Sequence, residues 1–423
     1  MKIMDIKKLV LIPCGFPLLV LAEPISSTSV SPSQSEPSSV QSKNTYTYIK
    51  CAYRKNPNAF SDVTSSWQWG LSENNQYAVV NGRWYSNAIL ANMFYTEASF
   101  REIKDICIST LSKAGITYAD VYPYASDHTL SYYYTFWSEG QHLPSVRIGA
   151  TDLERMVVFG DSLSDTINVY NGSYGTVPNS KSWYFGHFTN GLTWHEYLTG
   201  YHMNIPSYSW ATGNAQSGND IIFSGLNQQI DSFELYAQYS SYYNPAKTLF
   251  FVLFGGNDLI TGNKNPDDVL KSFRTGIPRL IANGAKQIVL FTLPDFSLIP
   301  AVLKWSAEDR NKLKKKVQSY NAKLNQYVEE LKEDNKDVKI IIANLYSYFG
   351  SLIANPDKFG YRNTRDACLN VSGSGFDYIT GRSPTSECIN SNAAFLFWDN
   401  MHPTAKTHLN ISQMIFDEIK LSL

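Results

Sequence analysis

The run Val157-Val158-Phe159-Gly160-Asp161-Ser162-Leu163-Ser164-Asp165-Thr166 constrains this chain more than any other stretch. A short apolar run ending at a glycine reads as a buried strand entering a tight turn. A serine stands at that turn, and the polar run after it can open a helix. Such a strand belongs in a parallel sheet, whose carboxyl edge is where open α/β folds place their sites. A serine hydroxyl is a poor nucleophile alone. It needs a base, an orienter for that base and donors for the oxyanion.

The rest of residues 151–423 agrees with a parallel sheet covered by helices, because strand-like and helix-like segments alternate. Strands are expected at Met156–Phe159, Thr248–Phe254, Gln287–Thr292 and Lys339–Asn344, with a short one near Ser207–Trp210. Between Ser306 and Glu333, Leu313, Val317, Tyr320, Leu324, Tyr327 and Leu331 recur at helical spacing and predict one buried stripe. Thr404–Leu421 reads as a final helix with Ile411, Ile415 and Ile419 on one side. Residues 356–396 interrupt the alternation. This Gly- and Ser-rich excursion either stiffens a long loop or positions the residues at 398–403.

The candidate base is His402, in Trp398-Asp399-Asn400-Met401-His402-Pro403-Thr404. An Asp three residues before a His can set its carboxylate against the imidazole and fix the tautomer. Taken alone, the same segment reads as a surface turn capping the last helix. Asn257 ends the strongly apolar strand Leu249–Phe254, where its carboxamide can face the same crevice as Ser162. Gly213 follows another short strand, and its backbone N–H can approach a ligand closely for want of a side chain. Asp161 reads as a brace for the turn and Asp165 as a helix-start residue. His187, His195, His202 and His408 have no carboxylate at a useful short spacing and read as structural.

Residues 44–150 form a first region rich in Tyr and Trp, consistent with a small α+β domain. Asn81-Gly82, flanked by Tyr77–Val80 and Arg83–Tyr85, predicts a hairpin turn. Ser99–Lys113 reads as an amphipathic helix stopped by Gly115. The aromatics read mainly as core, with some available for a lipid interface, since Trp and Tyr pair an apolar body with a polar tip.

Residues 1–22 read as a secretory signal: Lys2, Lys7 and Lys8, then an apolar run from Leu9 to Leu21, then Val20-Leu21-Ala22. That run is short for a membrane anchor and is broken by Pro13, Gly15 and Pro17. Residues 23–43 are rich in Ser, Pro, Thr, Val and Gln and read as a disordered linker. The formal charge is −1; loss of the signal's three lysines and one aspartate takes it to −3. No basic excess points to nucleic acid. Past the signal four cysteines remain, which suits disulfides in an exported chain. Three pairings are open to them. Cys51 with Cys107 and Cys368 with Cys388 would keep each bridge inside one region. No Cys-x-x-Cys or His-Glu-x-x-His occurs, so no metal is expected.

Taken together, Gly160-Asp161-Ser162-Leu163, Gly213, Gly256-Asn257-Asp258 and Asp399-x-x-His402-Pro403 resemble the GDSL lipase/esterase group of the SGNH hydrolases, in that family's order. Gly186-His187-Phe188-Thr189-Asn190-Gly191 is similar to a segment of its lipase-like branch. The first region, with Gln68-Trp69-Gly70-Leu71-Ser72-Glu73-Asn74-Asn75 and Asn92-Met93-Phe94-Tyr95-Thr96-Glu97, resembles the amino-terminal domain of the thermolabile, lecithin-dependent hemolysin phospholipases. The second block reads Gly213-Asn214-Ala215 where many relatives carry paired glycines.

The resemblance implies a flavodoxin-like three-layer α/β/α hydrolase domain over 151–423. It implies Ser162 as nucleophile, His402 as general base and acid, and Asp399 as its orienter. The oxyanion hole would comprise the N–H groups of Ser162 and Gly213 and the side chain of Asn257. It implies no cofactor, a phospholipid membrane or micelle as substrate, and a sterol or other alcohol as a conceivable acyl acceptor. A short-chain or carbohydrate esterase on the same scaffold is the alternative. A membrane- or glycan-binding protein with a silent hydrolase domain is the reading from another class. Absence of Gly-x-Ser-x-Gly argues against a nucleophile elbow of the α/β-hydrolase kind.

Overall fold

The computed structural model describes residues 45–85, 93–126, 134–138, 143–238 and 240–423. The expected signal at 1–22 and linker at 23–43 lie outside the described residues. Two sheets organise the chain. The first holds β1 (Thr45–Arg54), β2 (Ser65–Trp69), β3 (Val79–Tyr85), β4 (Met93–Thr96), β5 (Ala119–Ser126) and β6 (Thr135–Ser138), in the order β2-β1-β3-β4-β6 with β5 on β1. One edge of β1 is shared: its first half pairs with β3 and its second half with β2.

The helix Phe100–Lys113 packs on this sheet. Ser99 caps it in a box with Glu102, so two backbone donors that the helix start leaves open are satisfied. Phe100, Ile103, Cys107 and Leu111 form its buried stripe. Cys107 is bonded to Cys51 on β1, which ties the helix to the sheet. Gly115 follows at φ 65°, a left-handed position that ends the helix.

Asn81-Gly82 is not a hairpin turn. Both residues lie inside β3, opposite Tyr46 and Thr45 of β1. Here β3 changes partner, from β1 to β4. Glycine is required by proximity: a Cβ at Gly82 would fall 1.8 Å from the Tyr95 carbonyl oxygen. The dipeptide was misleading because a glycine that admits a close backbone carries the same letter as one that makes a turn.

A short hairpin, β7 (Val146–Ile148) with β8 (Thr151–Leu153), leads into the second sheet. That sheet is wholly parallel: β9 (Arg155–Gly160), β10 (Ser207–Ser209), β11 (Thr248–Leu253), β12 (Gln287–Phe291) and β13 (Lys339–Ala343), ordered β10-β9-β11-β12-β13. All five expected strands are present. Every residue of β9, β11 and β12 is buried, which is why they read as continuous apolar runs. Neighbouring residues of β11 show the two covered faces. Phe250 meets Phe233 of the helix Leu226–Gln238, and Phe251 meets Trp194 of the helix Trp194–Tyr197. The helices Leu226–Gln238, Pro266–Ala282 and Ala307–Asp334 pack side by side, and the final helix Ala405–Ser422 packs on Trp194–Tyr197 and β13. This is a three-layer α/β/α arrangement, and the stripe from Leu313 to Leu331 is buried as expected.

The excursion at 356–396 carries β14 (Asn363–Ala367), paired with β15 (Phe395–Phe397), and the disulfide Cys368–Cys388. Arg54 of β1 joins the first sheet to the second unit. Its guanidinium donates to Asp120 Oδ2 (2.9 Å), the Asp62 carbonyl (2.9 Å) and the Asn190 carbonyl.

Candidate active site

β9 is the central switch point of the parallel sheet. The chain leaves it for β10 on one side and returns to β11 on the other. A crevice therefore opens beyond its carboxyl end. Ser162 stands there, two residues past Gly160 and half-buried. Gln229 braces the strand end, accepting from Gly160 N–H and donating to Gly160 C=O, both at 2.9 Å. Asp161 Oδ1 accepts from Leu163 N–H (3.0 Å), the turn brace expected of it. Burial pushes its carboxyl up to about 7 despite that bond and the nearby His402.

The last turn before the final helix supplies the base. Trp398 N–H donates to the His402 carbonyl (2.8 Å), closing the turn. Asp399 Oδ1 accepts from Met401 and His402 N–H (2.8 and 2.9 Å). Both Asp399 oxygens lie 2.9 Å from His402 Nδ1. His402 Nε2 lies 2.8 Å from Ser162 Oγ. With Nδ1 protonated toward the carboxylate, Nε2 is free to accept the serine proton. Burial opposes the charge on Asp399. The His402 imidazole and the N–H groups of Met401 and Trp183 outweigh it, so its carboxyl sits below the ordinary value.

Three aromatic residues complete this arrangement; of them only Phe188 lay in a segment that the sequence singled out, and it was given no role there. Trp183 Nε1–H donates to Asp399 Oδ2 (2.9 Å). Phe188 packs its ring 5.2 Å from that of His402. The Tyr378 hydroxyl lies 3.3 Å from His402 Nδ1. Tyr378 belongs to the excursion, which is stitched to the Trp183 segment by Asn179 Nδ2 to Ile379 O (2.6 Å) and Ser182 Oγ to Arg382 O (2.7 Å). The excursion thus carries a side chain to the site, besides stiffening its own loop.

The expected oxyanion donors flank β9. Asn257 follows β11, whose Leu253 pairs with Gly160. One of its amide hydrogens goes to the Ala215 carbonyl (3.0 Å), and the second N–H of the carboxamide remains. Among the described residues nothing accepts from the Ser162 N–H. Gly213 differs from expectation. Its N–H donates to Asp165 Oδ2 (2.7 Å), an acceptor already inside the protein. The reason is the burial of Asp165: its carboxylate gathers four backbone donors, from Ile167, Asn168, Val169 and Gly213. Burial still pushes it up to about 6. Gly213 instead lets Phe188 approach, since a Cβ there would fall 2.5 Å from the Phe188 ring.

The rival histidines lie elsewhere. His195 bonds Ser207 Oγ and the Ser164 carbonyl, and His408 Nδ1 accepts from Trp194 N–H. His202 stacks on Phe416. His187 does have a carboxylate, contrary to the spacing argument. Its Nε2 lies 2.9 Å from Glu196 Oε2, both fully enclosed. Burial opposes charge on both, but their attraction raises His187 and lowers Glu196. The pair was missed because a turn of the irregular chain between residues 187 and 194, not short spacing, brings the two together.

Beside Leu163 and Met401 a small apolar cavity of about 30 Å³ lies between Phe291, Phe296, Leu345, Phe349 and Ile411.

A parallel α/β/α sheet with a serine–histidine–carboxylate chain at its switch point defines a serine ester hydrolase of the SGNH type. The family described as GDSL-like Lipase/Acylhydrolase matches residues 156–415, and this chain belongs to it. The family described as Vibrio dual lipase/transferase, N-terminal domain, matches residues 21–139. The chain is 34% identical over 388 residues to the thermolabile hemolysin of Vibrio parahaemolyticus, covering 91% of this chain and 90% of that protein. It is 27% identical over 302 residues to the phosphatidylcholine-sterol acyltransferase of Aeromonas hydrophila, covering 61% of this chain and 88% of that protein. Among solved structures, a GDSL-like lipase from Bacteroides thetaiotaomicron superimposes with a TM-score of 0.32 at 15% identity, over 64% of this chain and 89% of that one.

Proposed function

We propose that the protein is an exported phospholipase that cleaves acyl esters of glycerophospholipids through an acyl-enzyme on Ser162. The reading is carried by the hydrogen-bonded chain Ser162–His402–Asp399. His402 Nε2 takes the hydroxyl proton as Oγ attacks the ester carbonyl. Collapse of the tetrahedral intermediate expels the alcohol, which receives that proton. Water, or a second alcohol such as a sterol, then gives its proton to His402 and attacks the acyl carbon, restoring Ser162. The Ser162 N–H and the Asn257 carboxamide stabilise the oxyanion. Asp399 holds the imidazole in its tautomer and balances its charge.

A lipid acyl ester as substrate is favoured by the hemolysin and the phosphatidylcholine-sterol acyltransferase among the relatives of this chain. Export is supported by two disulfides, and among the described residues no helix is long and apolar enough to cross a membrane. We assign residues 44–150 to an amino-terminal domain and 151–423 to the catalytic one.

The test is product analysis with defined phosphatidylcholines, with and without a sterol. The wild type is expected to release fatty acid and lysophospholipid, and to form sterol ester when sterol is present. Ser162→Ala is expected to form none of these. Release of acetate from acetylated sugars without fatty acid release would replace this reading with a carbohydrate esterase.

A further inference from the structure

Strand alternation divides β1 between two faces. Ile49 and Cys51 point into the core under the helix Phe100–Lys113, together with Ala78, Val80 and Cys107. Tyr46, Tyr48 and Lys50 point the other way. Trp67 and Trp69 of β2 lie beside them, with Tyr77 and Val79 next along the same edge of β1. Tyr46, Trp67, Tyr77 and Val79 are 53%, 36%, 61% and 49% exposed. Four rings are joined edge to face: Tyr48–Trp69 at 6.1 Å, Tyr48–Tyr77 at 6.2 Å, Trp67–Trp69 at 5.0 Å and Trp69–Tyr77 at 6.3 Å. A folded chain gains nothing in water by showing so many large rings on one sheet face.

The same face continues into the interface with the catalytic unit. Ala52, further along β1, packs with Ile167, Phe185, Leu192 and Ala405, and Arg54 reaches Asn190. Ile167 and Ala405 lie five and three residues after Ser162 and His402. The aromatic face is therefore linked through β1 to the segments that follow Ser162 and His402.

We propose that this face is the docking surface for a phospholipid bilayer, seating the enzyme on the aggregate from which it draws its substrate; this rests on the phospholipase reading above. Tyr and Trp suit the boundary between headgroups and acyl chains, where an apolar body and a polar tip are both satisfied. None of the named residues is acidic. The one charge, the ammonium of Lys50, is buried beside the Trp67 and Trp69 rings, 4.8 and 5.3 Å from their centres, so the exposed residues of this face named here are uncharged. Edge-to-face rings present rims, not the flat platform on which a sugar ring stacks.

The test uses full-length Ser162→Ala protein and phosphatidylcholine vesicles, with and without phosphatidylserine. Replacing Tyr46, Trp67 and Tyr77 together by serine is expected to weaken vesicle binding by about tenfold or more. In the active background it is expected to cut fatty acid release from vesicles by a similar factor. Turnover of a dispersed short-chain ester should change less than about twofold, since each tenfold in rate needs about 1.4 kcal/mol at the reacting centre. The single change Trp67→Phe keeps the ring and guards against a misfolded triple variant. It is expected to remove a share of the tryptophan quenching by brominated lipid that the parent shows. Wild-type binding and release by the triple variant would overturn the docking surface and leave the phospholipase reading intact. Binding that depends on this face, with no fatty acid released by the active enzyme, would uphold the surface and sink the phospholipase reading. Loss of binding to a soluble glycan, with vesicle binding unchanged, would overturn it in favour of a sugar site.

Discussion

Trp183 and Asp399 stand 216 positions apart, and the indole N–H of one donates to the carboxylate of the other at 2.9 Å. Both are buried, so this bond acts without competition from water. It leaves Asp399 with a donor on each oxygen besides the imidazole. A carboxylate held this way cannot swing away from His402 between turnovers.

Trp183→Phe keeps the ring and removes the donor. A hydrogen bond to a charged group is worth about 1.5–3 kcal/mol. Steady-state kinetics on a soluble ester should show kcat lowered by about tenfold or more with KM little changed. An unchanged kcat would relegate the bond to packing.

Asp399→Asn tests the orienter more severely. An amide in that place offers an N–H to Nδ1 and favours the wrong tautomer, which in a serine triad lowers kcat by about 10⁴. Circular dichroism should show the fold retained. A loss of less than about tenfold would mean that His402 is held by other contacts.

The two flanking loops should respond differently to alanine. Asn257→Ala removes an oxyanion donor and is expected to lower kcat by about 10²–10³ with a small effect on KM. Gly213→Ala leaves its N–H on Asp165 but forces a Cβ against Phe188 at 2.5 Å. It is expected to lower melting temperature as well as kcat, because Phe188 is displaced from His402. Calorimetry on the two variants separates them.

Acid should expose the buried histidines. Burial drives His195 down to about 4 and His408 down to about 3. The unfolded chain binds these protons near ~6.5. Stability is therefore complete above about pH 6.5 and is lost as pH falls toward the folded values. Asp161 and Asp165, raised by burial to about 7 and about 6, run the opposite way and mask the trend in the wild type. The difference between proteins removes that mask. Urea unfolding should show His408→Asn gaining on the wild type by roughly 1.4 kcal/mol per pH unit between about pH 6 and 4. A pH-independent difference would mean that His408 titrates alike in both states.

Much of the fold was legible because it is written locally. The buried strands, the stripe from Leu313 to Leu331 and the helix read over Ser99–Lys113 depend on neighbours within a turn or two, and periodicity reports such neighbours. Asn81-Gly82 shows the limit. The same dipeptide suits a tight turn and a crowded strand crossing, and only the Tyr95 carbonyl nearby decides between them. His187 with Glu196 is the same lesson in charge, since the partner lies nine residues away.

The chain's own letters determined which groups are present to react: a hydroxyl after an apolar strand, an Asp three before a His, and a carboxamide after a second strand. They did so because strand ends and tight turns are short-range events. Tertiary structure alone decided who receives each hydrogen. It sent the Gly213 N–H to Asp165 and the Trp183 N–H to Asp399. A buried polar atom must take whatever partner the packed chain brings within about 3 Å, and that distance has no counterpart along the sequence.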